Sequence, residues 1–365
     1  MHHRHWLRIV LRQWWWRRRN GMRLSHRDPP WLVDTTLRDG LQSPCWQPSL
    51  SDQETLAQAL DAAGIDEIEA GIPIRGSETR RLIRAVTRRS RNAAISAWCR
   101  ARSDDIAAAA DLGIDILHCS LPSSQIWLDG CQRSWQDFLD TLPGLLKAAR
   151  AQAPRISLGL IDASRAPLER LRALARLAAE EGVWRVRLAD TVGIWTPHQA
   201  ATTLRSLRQA APGLVLGIHA HNDLAQAVAV TLAALDAGAS SADATVLGLG
   251  ERAGNCALEP LALALQLQYQ RPARFDLTAC PHLADIAGRG LRQGIPAQQP
   301  VVGKQAFAHA SGIHIAQQLR DPQACQPCAA EMVGAQQALI PSSLAGHHAL
   351  QYFQHPHHHQ LATTA

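Results

Sequence analysis

Two histidines stand one residue apart at the end of a hydrophobic run, in the stretch LGIHAHNDLAQ at residues 216–226. Side chains two residues apart in a β-strand point to the same face, so His219 and His221 would aim both imidazoles into one space. This geometry suits a metal ion, although two histidines that only form hydrogen bonds at a strand end would show the same spacing. The choice depends on which other polar side chains reach that space.

Short apolar runs alternate with stretches rich in Ala, Leu and Arg, which is the pattern of repeated βα units. The runs predict eight strands, at residues 31–37, 66–72, 93–99, 114–121, 155–161, 184–190, 214–221 and 242–249. Eight such units predict an α/β fold, a (β/α)8 TIM barrel followed by a short, mainly helical C-terminal segment. A doubly wound sheet is the second choice, but no glycine-rich phosphate-binding fingerprint follows the first strand.

The helices between these strands show recognisable ends. The stretch SDQETLAQALDAAG predicts a helix with Ser51 as its N-cap, Glu54 three residues later and Gly64 at its C-terminus. Two further helical stretches, at 169–182 and 225–239, also close with a glycine.

Polar residues accumulate where the predicted strands end, and in this fold chemistry occurs at the C-terminal ends of the strands. They are Arg38, Asp39 and Gln42 after the first strand, Arg100 after the third, Ser120 on the fourth, Asp190 and Thr191 after the sixth, His219 and His221 on the seventh, and Glu251 to Asn255 after the eighth. Barrel closure makes the eighth strand a neighbour of both the seventh and the first. Asp39, the two histidines and Asn255 would therefore converge on one point.

One carboxylate, two imidazoles and an amide oxygen, with positions left open, describe a catalytic site for Zn²⁺, Mn²⁺ or Mg²⁺. A 2-oxo acid could chelate such an ion through its carboxylate and keto oxygen, and its keto carbon would then be polarised towards attack.

The charge distribution argues against a nucleic-acid partner. The formal net charge is +6, and residues 1–21 alone carry six arginines and no acidic residue, so the remainder is neutral. The arm is a poor signal peptide and is too short and too charged to span a bilayer. We expect it to be disordered, or untranslated if the start is at Met22. The eight scattered cysteines then fit a reduced cytoplasmic enzyme, in which CQPC at 325–328 has no partner pair.

Seven motifs occur in a characteristic order: DTTLRDGLQSP, EIEAGIP, AWCRAR, RLADTVGI, HAHNDLA, GLGERAGN and AFAHASGIH. With this order and spacing, the chain from about residue 31 to about 320 resembles the metal-dependent acyl-CoA condensing enzymes, the family of isopropylmalate, citramalate and homocitrate synthases. EIEAGIP, WCRAR and DASRA are most similar to the nitrogen-fixation type of homocitrate synthase.

The resemblance implies a Claisen-type condensation. A base removes a methyl proton from acetyl-CoA, the enolate attacks the keto carbon of 2-oxoglutarate, and water cleaves the thioester to give homocitrate and CoA. Carried over by position, it implies these roles: Asp39, His219 and His221 as metal ligands with Asn255 a weaker or water-mediated one, Arg38 as the cation that stabilises the enolate and alkoxide oxygens, Gln42 and Thr191 as substrate-binding residues, and His314 of SGIH as the general acid/base.

Three positions depart from the family pattern. Ile161 stands where the family has a Glu at the end of the fifth strand, Cys325 where it has a Tyr, and Ala310 where a polar residue commonly precedes SGIH. Loss of a positioned acid/base group removes a factor of roughly 10² to 10⁴ in rate. The chain could therefore be slow, altered in its oxo acid, or a barrel that binds CoA, substrate or a partner without turnover.

Single residues, and the reaction itself, also admit a second interpretation. Arg38 and Asp39 could form only a strand-end ion pair, Thr191 could be a helix cap, and we interpret His309 as a packed loop histidine. Arg100 could face the barrel mouth and meet a distal substrate carboxylate. A lyase running related chemistry backwards on a 3-hydroxyacyl-CoA would share RDGLQ and HAH.

The organisation predicted for the whole chain has three parts. Residues 1–21 form the basic arm, 22–275 the catalytic barrel, and 276–365 a helical subdomain that supplies His314 and ends in a His-rich tail. We expect acetyl-CoA and a 2-oxo acid as small-molecule partners, no nucleic acid, no membrane, and a homodimer.

Overall fold

The computed structural model describes residues 29–268 and 274–340, together with Gly346 and Phe353. The basic arm, Met22 and the histidines of the tail lie outside these described residues. Among the described residues, no helix combines the length and the apolar character needed to cross a membrane.

Eight parallel strands close into a barrel in sequence order, which confirms the predicted (β/α)8 fold. They are β1 (Trp31–Asp34), β2 (Glu67–Glu69), β3 (Ala94–Arg100), β4 (Ile116–Pro122), β5 (Arg155–Ile161), β6 (Arg185–Asp190), β7 (Val215–Ala220) and β8 (Ser241–Ala244). The register of β1 on β8, from Trp31 opposite Ser241 to Asp34 opposite Ala244, closes the ring.

The first and last barrel strands end earlier than the apolar pattern predicts. After β1, the Asp34 carboxylate accepts hydrogen bonds from the Thr36 N–H at 3.0 Å and the Thr36 hydroxyl at 2.8 Å, which turns the chain. After β8, Leu247 adopts a left-handed conformation with a φ of 60°, and residues 246–248 form a 3-10 turn. Both apolar runs therefore continue into the loops that carry the polar residues of the barrel mouth.

Helices follow the strands and pack on the outside of the barrel. In order they are α1 (Leu50–Ala62), α2 (Ser77–Arg89), α3 (Ser103–Ala107), α4 (Gln125–Gly130), α5 (Trp135–Arg150), α6 (Leu168–Glu180), α7 (Pro197–Ala210), α8 (Ala227–Asp236) and α9 (Leu258–Gln268). The helix α6 buries Leu171, Leu174, Ala175 and Ala178, which is the spacing of one helical face.

The start of α1 differs from the prediction. Ser49, and not Ser51, is the N-cap, because its Oγ accepts a hydrogen bond from the Asp52 N–H at 3.1 Å. Ser51 already lies inside the helix, where its carbonyl accepts from Thr55. The predicted C-terminal glycine is confirmed: Gly64 has a φ of +84°, a conformation that glycine adopts without a steric penalty.

The C-terminal segment contains α10 (Cys280–Gly288), α11 (Gly312–Gln318), and two short strands, β9 (Ala308–His309) and β10 (Ala338–Leu339). The strands pair in parallel, which the sequence did not predict because two residues are too few for a periodic pattern. The helix α10 packs against α1, so the segment begins against the outside of the barrel.

The barrel interior holds charged side chains beneath the mouth. Arg185 on β6 donates from Nη1 and Nη2 to the two carboxylate oxygens of Glu67 on β2, both at 2.9 Å. Trp31 Nε1 donates to the same carboxylate at 2.9 Å. Arg185 and Glu67 are both fully buried, so each charge depends on the other.

Candidate active site at the mouth of the barrel

A cavity of about 750 Å³ opens at the C-terminal ends of the strands, where the sequence placed the chemistry. It is lined by most of the predicted site residues, namely Arg38, Asp39, Gln42, Arg100, Thr191, His219 and His221, and also by Trp98, His118, Ser120, Ile161, Arg187 and Glu251. Asn255 lies beside it, because it forms a β-bridge with His221.

Asp39, His219 and His221 converge in this cavity as predicted. The Asp39 Oδ2 atom lies 3.0 Å from His219 Nε2 and 3.7 Å from His221 Nε2, and the two imidazole nitrogens are 3.3 Å apart. All three side chains are buried and offer ligand atoms within 4.8 Å of one another. Two of them come from the end of β7, and Asp39 comes from the turn after β1.

The electrostatic environment favours the ligand forms of two of these side chains. Burial alone would raise the pKa of Asp39, but the Arg38 guanidinium and the two imidazoles outweigh it and hold this pKa well below its usual range. Burial, followed by the His219 imidazole, lowers the pKa of His221 to about 4. Burial would also lower the pKa of His219, yet hydrogen bonds to Asp243 and Asp39 raise it.

The donor set fits a divalent cation. One carboxylate and two imidazoles are ligands shared by zinc, manganese and related ions. In addition, the buried Asn255 Oδ1 and His221 Nδ1 atoms have no hydrogen-bond partner among the described residues, whereas Asn255 Nδ2 donates to the Leu249 carbonyl at 2.8 Å. The backbone of Asn255 pairs with that of His221, so this free amide oxygen is available as a fourth or water-mediated ligand beside the triad of Asp39, His219 and His221.

A chain of buried ion pairs supports the triad. The Asp243 carboxylate lies 2.9 Å from His219 Nδ1 and 2.8 Å from Arg187 Nη1. Arg187 Nη2 in turn donates to Glu69 at 2.9 Å, and the other oxygen of Glu69 accepts from Arg38 Nε. The chain crosses the barrel from β8 to β2 and fixes both His219 and Arg38, in the way that carboxylates behind a metal-binding histidine orient its ring.

Glu69, Arg187 and Asp243 were not among the site residues predicted from the sequence. For Glu69 and Arg187 a signal was present in the sequence, because two glutamates lie two residues apart in β2 and two arginines lie two residues apart in β6. Residues two apart share one strand face, so these four charges point into the barrel together.

Arg38 and Asp39 form the ion pair that was the alternative to a catalytic role, with Arg38 Nη1 2.9 Å from Asp39 Oδ1. The pair lines the cavity, so pairing does not remove either group from it. Thr191 is not a helix cap, because Thr196 caps α7 with Gln199 in a capping box. The Thr191 hydroxyl accepts from the Asp162 N–H at 2.8 Å and faces the cavity.

Arg100 lines the cavity, but its guanidinium is already occupied. It donates to Asp105 from Nε at 2.9 Å and from Nη2 at 2.8 Å. A bidentate pair of this kind satisfies the charge of the arginine, so the expected contact with a distal substrate carboxylate has no support in this geometry.

His314 is exposed on α11 and does not line the cavity. Its ring is edge-on to that of His309, with centroids 6.3 Å apart. His309 is buried and lies 3.2 Å from the Gln318 amide, in agreement with a packed histidine. Within one chain, the structure therefore does not bring the predicted acid/base to the other site residues.

Two more features shape the cavity. Ile161, at the end of β5, lines the wall where the family pattern has a Glu. In the loop after β8, Gly254 has a φ of +87°, and a Cβ there would lie 2.0 Å from the Gly248 carbonyl oxygen. Only glycine fits this turn, which delivers Asn255 to the site.

The barrel is closed and parallel, and it carries one carboxylate and two histidines at the C-terminal ends of its strands. The protein is therefore a TIM-barrel protein with a candidate metal-binding site at the mouth of the barrel. The HMGL-like family profile matches residues 30–286, and a profile described as homocitrate synthase post-HMGL domain-like matches residues 301–363. The chain belongs to the HMGL-like family.

Its relatives include condensing synthases. It is 39% identical over 324 residues to a homocitrate synthase of Frankia alni, covering 88% of this chain and 92% of the relative. It is 32% identical over 323 residues to 2-isopropylmalate synthase 2 of Caldanaerobacter subterraneus subsp. tengcongensis, covering 88% and 84%. The HMG-CoA lyase structure from Pseudomonas aeruginosa aligns with a TM-score of 0.62 and 25% identity, over 73% of this chain and 93% of that one.

Proposed function

We propose that this protein condenses acetyl-CoA with 2-oxoglutarate to give homocitrate and CoA, with a divalent metal ion held by Asp39, His219 and His221. The observation that carries the proposal is the convergence of these three buried side chains in one cavity. Two findings support the choice among condensing reactions: the 39% identity to a homocitrate synthase and the post-HMGL match. The motifs EIEAGIP, WCRAR and DASRA favour the nitrogen-fixation type, so we propose nitrogenase cofactor biosynthesis as its role.

The side chains that line this cavity have separate roles in the proposed reaction. When bound, the ion would supply Lewis-acid polarisation of the keto group. Glu69 and Asp39 hold the Arg38 guanidinium at the cavity wall, so a fixed cation faces the oxygens on which negative charge develops. Thr191 and Gln42 line the same space and can bind the oxo acid. Arg38 and the three candidate metal ligands are buried, which strengthens the electrostatic interactions that they make.

The test is a thiol-release assay with acetyl-CoA, a divalent metal and a panel of 2-oxo acids. We expect the highest kcat/KM with 2-oxoglutarate, and a loss of at least about 10³-fold in Asp39→Asn, which removes a ligand charge while keeping the shape. Absence of turnover above the Asp39→Asn background would overturn the proposal. Preference for another oxo acid would replace homocitrate by a related product, and acetoacetate release from a 3-hydroxyacyl-CoA would instead indicate a lyase.

Ile161 supports a second candidate, a barrel that binds its ligands with little or no turnover. A carboxylate that orders water or moves a proton at this wall is replaced by a hydrocarbon side chain. In this case calorimetry gives metal and oxo acid binding without CoA release, and Ile161→Glu raises the rate. Measurable turnover by the wild-type chain would eliminate this candidate.

His314 remains our proposed acid/base, and its position outside the cavity links it to the proposed homodimer. An exposed His314 can reach a cavity only by movement of its segment or by docking into a second copy, and its neighbour Ile313 is an exposed apolar residue, 75% accessible. We expect His314→Ala and Asp39→Asn each to be inactive and their mixture to regain part of the activity. If the mixture stays inactive, the arrangement across two copies is wrong, and if His314→Ala alone retains full activity, the acid/base assignment is wrong.

A further inference from the structure

An arginine at the mouth of the barrel joins three of the loops that follow the strands. Arg252 lies in the loop after β8, and its Nε atom donates to Asp223 Oδ1 at 2.8 Å. Its Nη2 atom donates to Asp223 Oδ2 at 3.0 Å and to the Thr191 carbonyl oxygen at 2.7 Å. Asp223 belongs to the loop after β7, and Thr191 belongs to the loop after β6. We call Arg252, Asp223 and Thr191 the rim clamp.

The backbone around the rim clamp is shaped for these contacts. Arg252 has a φ of +55°, which is unfavourable for a residue other than glycine, so the surrounding contacts must hold it there. Gly193, in the loop after β6, has a φ of +62°, and a Cβ there would lie 2.6 Å from Asp223 Oδ2. A glycine at this position therefore lets the loops after β6 and β7 approach closely enough to share one arginine.

Each loop that the rim clamp joins carries a residue of the proposed site. Thr191 follows β6, His221 follows β7, and Asn255 lies in the loop after β8. The backbone connects the last two loops, because the Asn222 N–H donates to the Gly254 carbonyl oxygen at 2.9 Å and Asn255 forms a β-bridge with His221. The side chain of Arg252 adds the loop after β6 to this pair. The position of Thr191 relative to the metal ligands thus depends on the rim clamp.

The Thr191 hydroxyl is a hydrogen-bond donor whose place the loop decides. Its oxygen accepts from the Asp162 N–H at 2.8 Å, and a hydroxyl that accepts one hydrogen bond still has its own proton to donate. Thr191 lines the cavity, so that proton can be donated to a carboxylate oxygen there. The Asp162 contact ties Thr191 to the loop after β5, and the Arg252 contact ties it to the side of the mouth that carries the metal ligands.

The metal ligands themselves have a separate support. The ion-pair chain through Asp243 and Arg187 fixes His219 and does not include Arg252. The Arg252 and Asp223 side chains are 42% and 23% accessible, and ion pairs with this exposure contribute little to the stability of a fold. Loss of the rim clamp should therefore displace Thr191 without unfolding the chain or removing the metal-binding side chains.

We propose that Arg252 is a positioning residue, which holds the Thr191 hydroxyl at the distance from the metal ligands that a bound 2-oxo acid requires. The oxo acid has to meet both the metal site and Thr191, so a small shift of the loop weakens its binding. The role requires the shape of the guanidinium as well as its charge, because two nitrogen atoms of one planar group reach two different loops. This inference rests on the proposed function for its ligand.

The experiment compares Arg252→Lys and Arg252→Ala with the wild-type chain by calorimetry. Binding of Mn²⁺ is measured first, and binding of 2-oxoglutarate is then measured with saturating Mn²⁺. In both variants we expect 2-oxoglutarate to bind about 10-fold or more weakly, the loss of one hydrogen bond to a charged group. The affinity for Mn²⁺ should stay within about 3-fold, and the midpoint of thermal unfolding should not change.

The matched control is Arg172→Lys on α6. It alters the arginine of another exposed ion pair, which does not line the cavity, and should leave both affinities unchanged.

A double-mutant cycle tests whether Arg252 acts through Asp223. Asp223→Asn should also weaken binding of 2-oxoglutarate. When Asp223→Asn and Arg252→Lys are combined, the loss of affinity should be smaller than the product of the two single losses, because both changes break the same set of contacts. Losses that multiply would contradict a joint action of the two residues.

Three further results would overturn the inference. Wild-type affinity for 2-oxoglutarate in Arg252→Lys would show that only the charge matters. An equal loss of Mn²⁺ and 2-oxoglutarate binding, or a lower unfolding midpoint, would show a general structural role. Absence of 2-oxoglutarate binding to the wild-type chain would leave Thr191 with no ligand to meet. Failure of the proposed function is a different result, namely absence of CoA release in a chain whose binding of 2-oxoglutarate depends on Arg252.

Discussion

Replacing His219 or His221 with alanine is expected to abolish stoichiometric binding of a divalent metal while the chain stays folded. Each variant leaves one imidazole and Asp39, and loss of a ligand should weaken metal binding by more than the roughly 10- to 100-fold seen when a group hydrogen-bonded to a ligand is lost. The hydrophobic core lies between barrel and helices and does not depend on the ion. Metal content after dialysis and the circular dichroism spectrum provide the measurements.

The matched control for this prediction is His198→Ala, which removes an exposed imidazole at the start of α7. It should keep both the metal content and the spectrum. We also expect binding of 2-oxoglutarate to disappear in the two site variants, because the metal anchors the oxo acid. If either variant unfolds, or keeps stoichiometric metal, these histidines are structural hydrogen-bonding residues.

Glu67→Gln is expected to lower the free energy of unfolding by about 3–5 kcal/mol, the effect of removing one partner of a buried ion pair. Arg185 would remain fully buried with its charge unbalanced, since the carboxylate accepts both of its Nη donors. Urea denaturation followed by circular dichroism gives the difference. Replacing both residues with methionine should cost much less than Glu67→Gln alone, because no uncompensated charge is left.

An exposed ion pair within the same chain is the reference for that measurement. Arg172 and Glu169 on α6 are 3.1 Å apart, and the glutamate is 76% accessible. Glu169→Gln should change the free energy of unfolding by at most about 1 kcal/mol. Equal effects for Glu67→Gln and Glu169→Gln would contradict the role of burial.

The barrel could be predicted because strands covered on both faces appear as uninterrupted apolar runs, and eight of them alternate with helices. The triad could be predicted because a closed barrel places β7, β8 and β1 side by side. Asp39 and His219 are therefore close in space although they are far apart in sequence. The ends of β1 after Asp34 and of β8 before Leu247 could not be predicted from the sequence. Side-chain hydrogen bonds determine the first of them, and a single residue in the left-handed conformation determines the second.

Contacts that depend on loop geometry could also not be predicted from the sequence. The ion pair between Arg100 and Asp105 requires the particular path of the chain from β3 into α3. The position of His314 depends on how a segment with few predicted elements docks, so its family role could be carried over but its location could not. The hydrogen bonds that link Ser120, His118, Ser157 and Arg185 join β4, β5 and β6, and no single strand of the sequence indicates them.

The ion-pair chain below the triad has a consequence for the order in which ligands arrive. Hydrogen bonds to Asp243 and Asp39 raise the pKa of His219, and its imidazolium together with Arg38 and Arg187 balances the carboxylates of Asp39, Glu69 and Asp243. A divalent cation needs the neutral imidazole as a ligand, so it would displace this proton and leave the cluster with one net positive charge, which attracts an anionic 2-oxo acid. We therefore expect the cation to bind before the oxo acid and its uptake to release a proton.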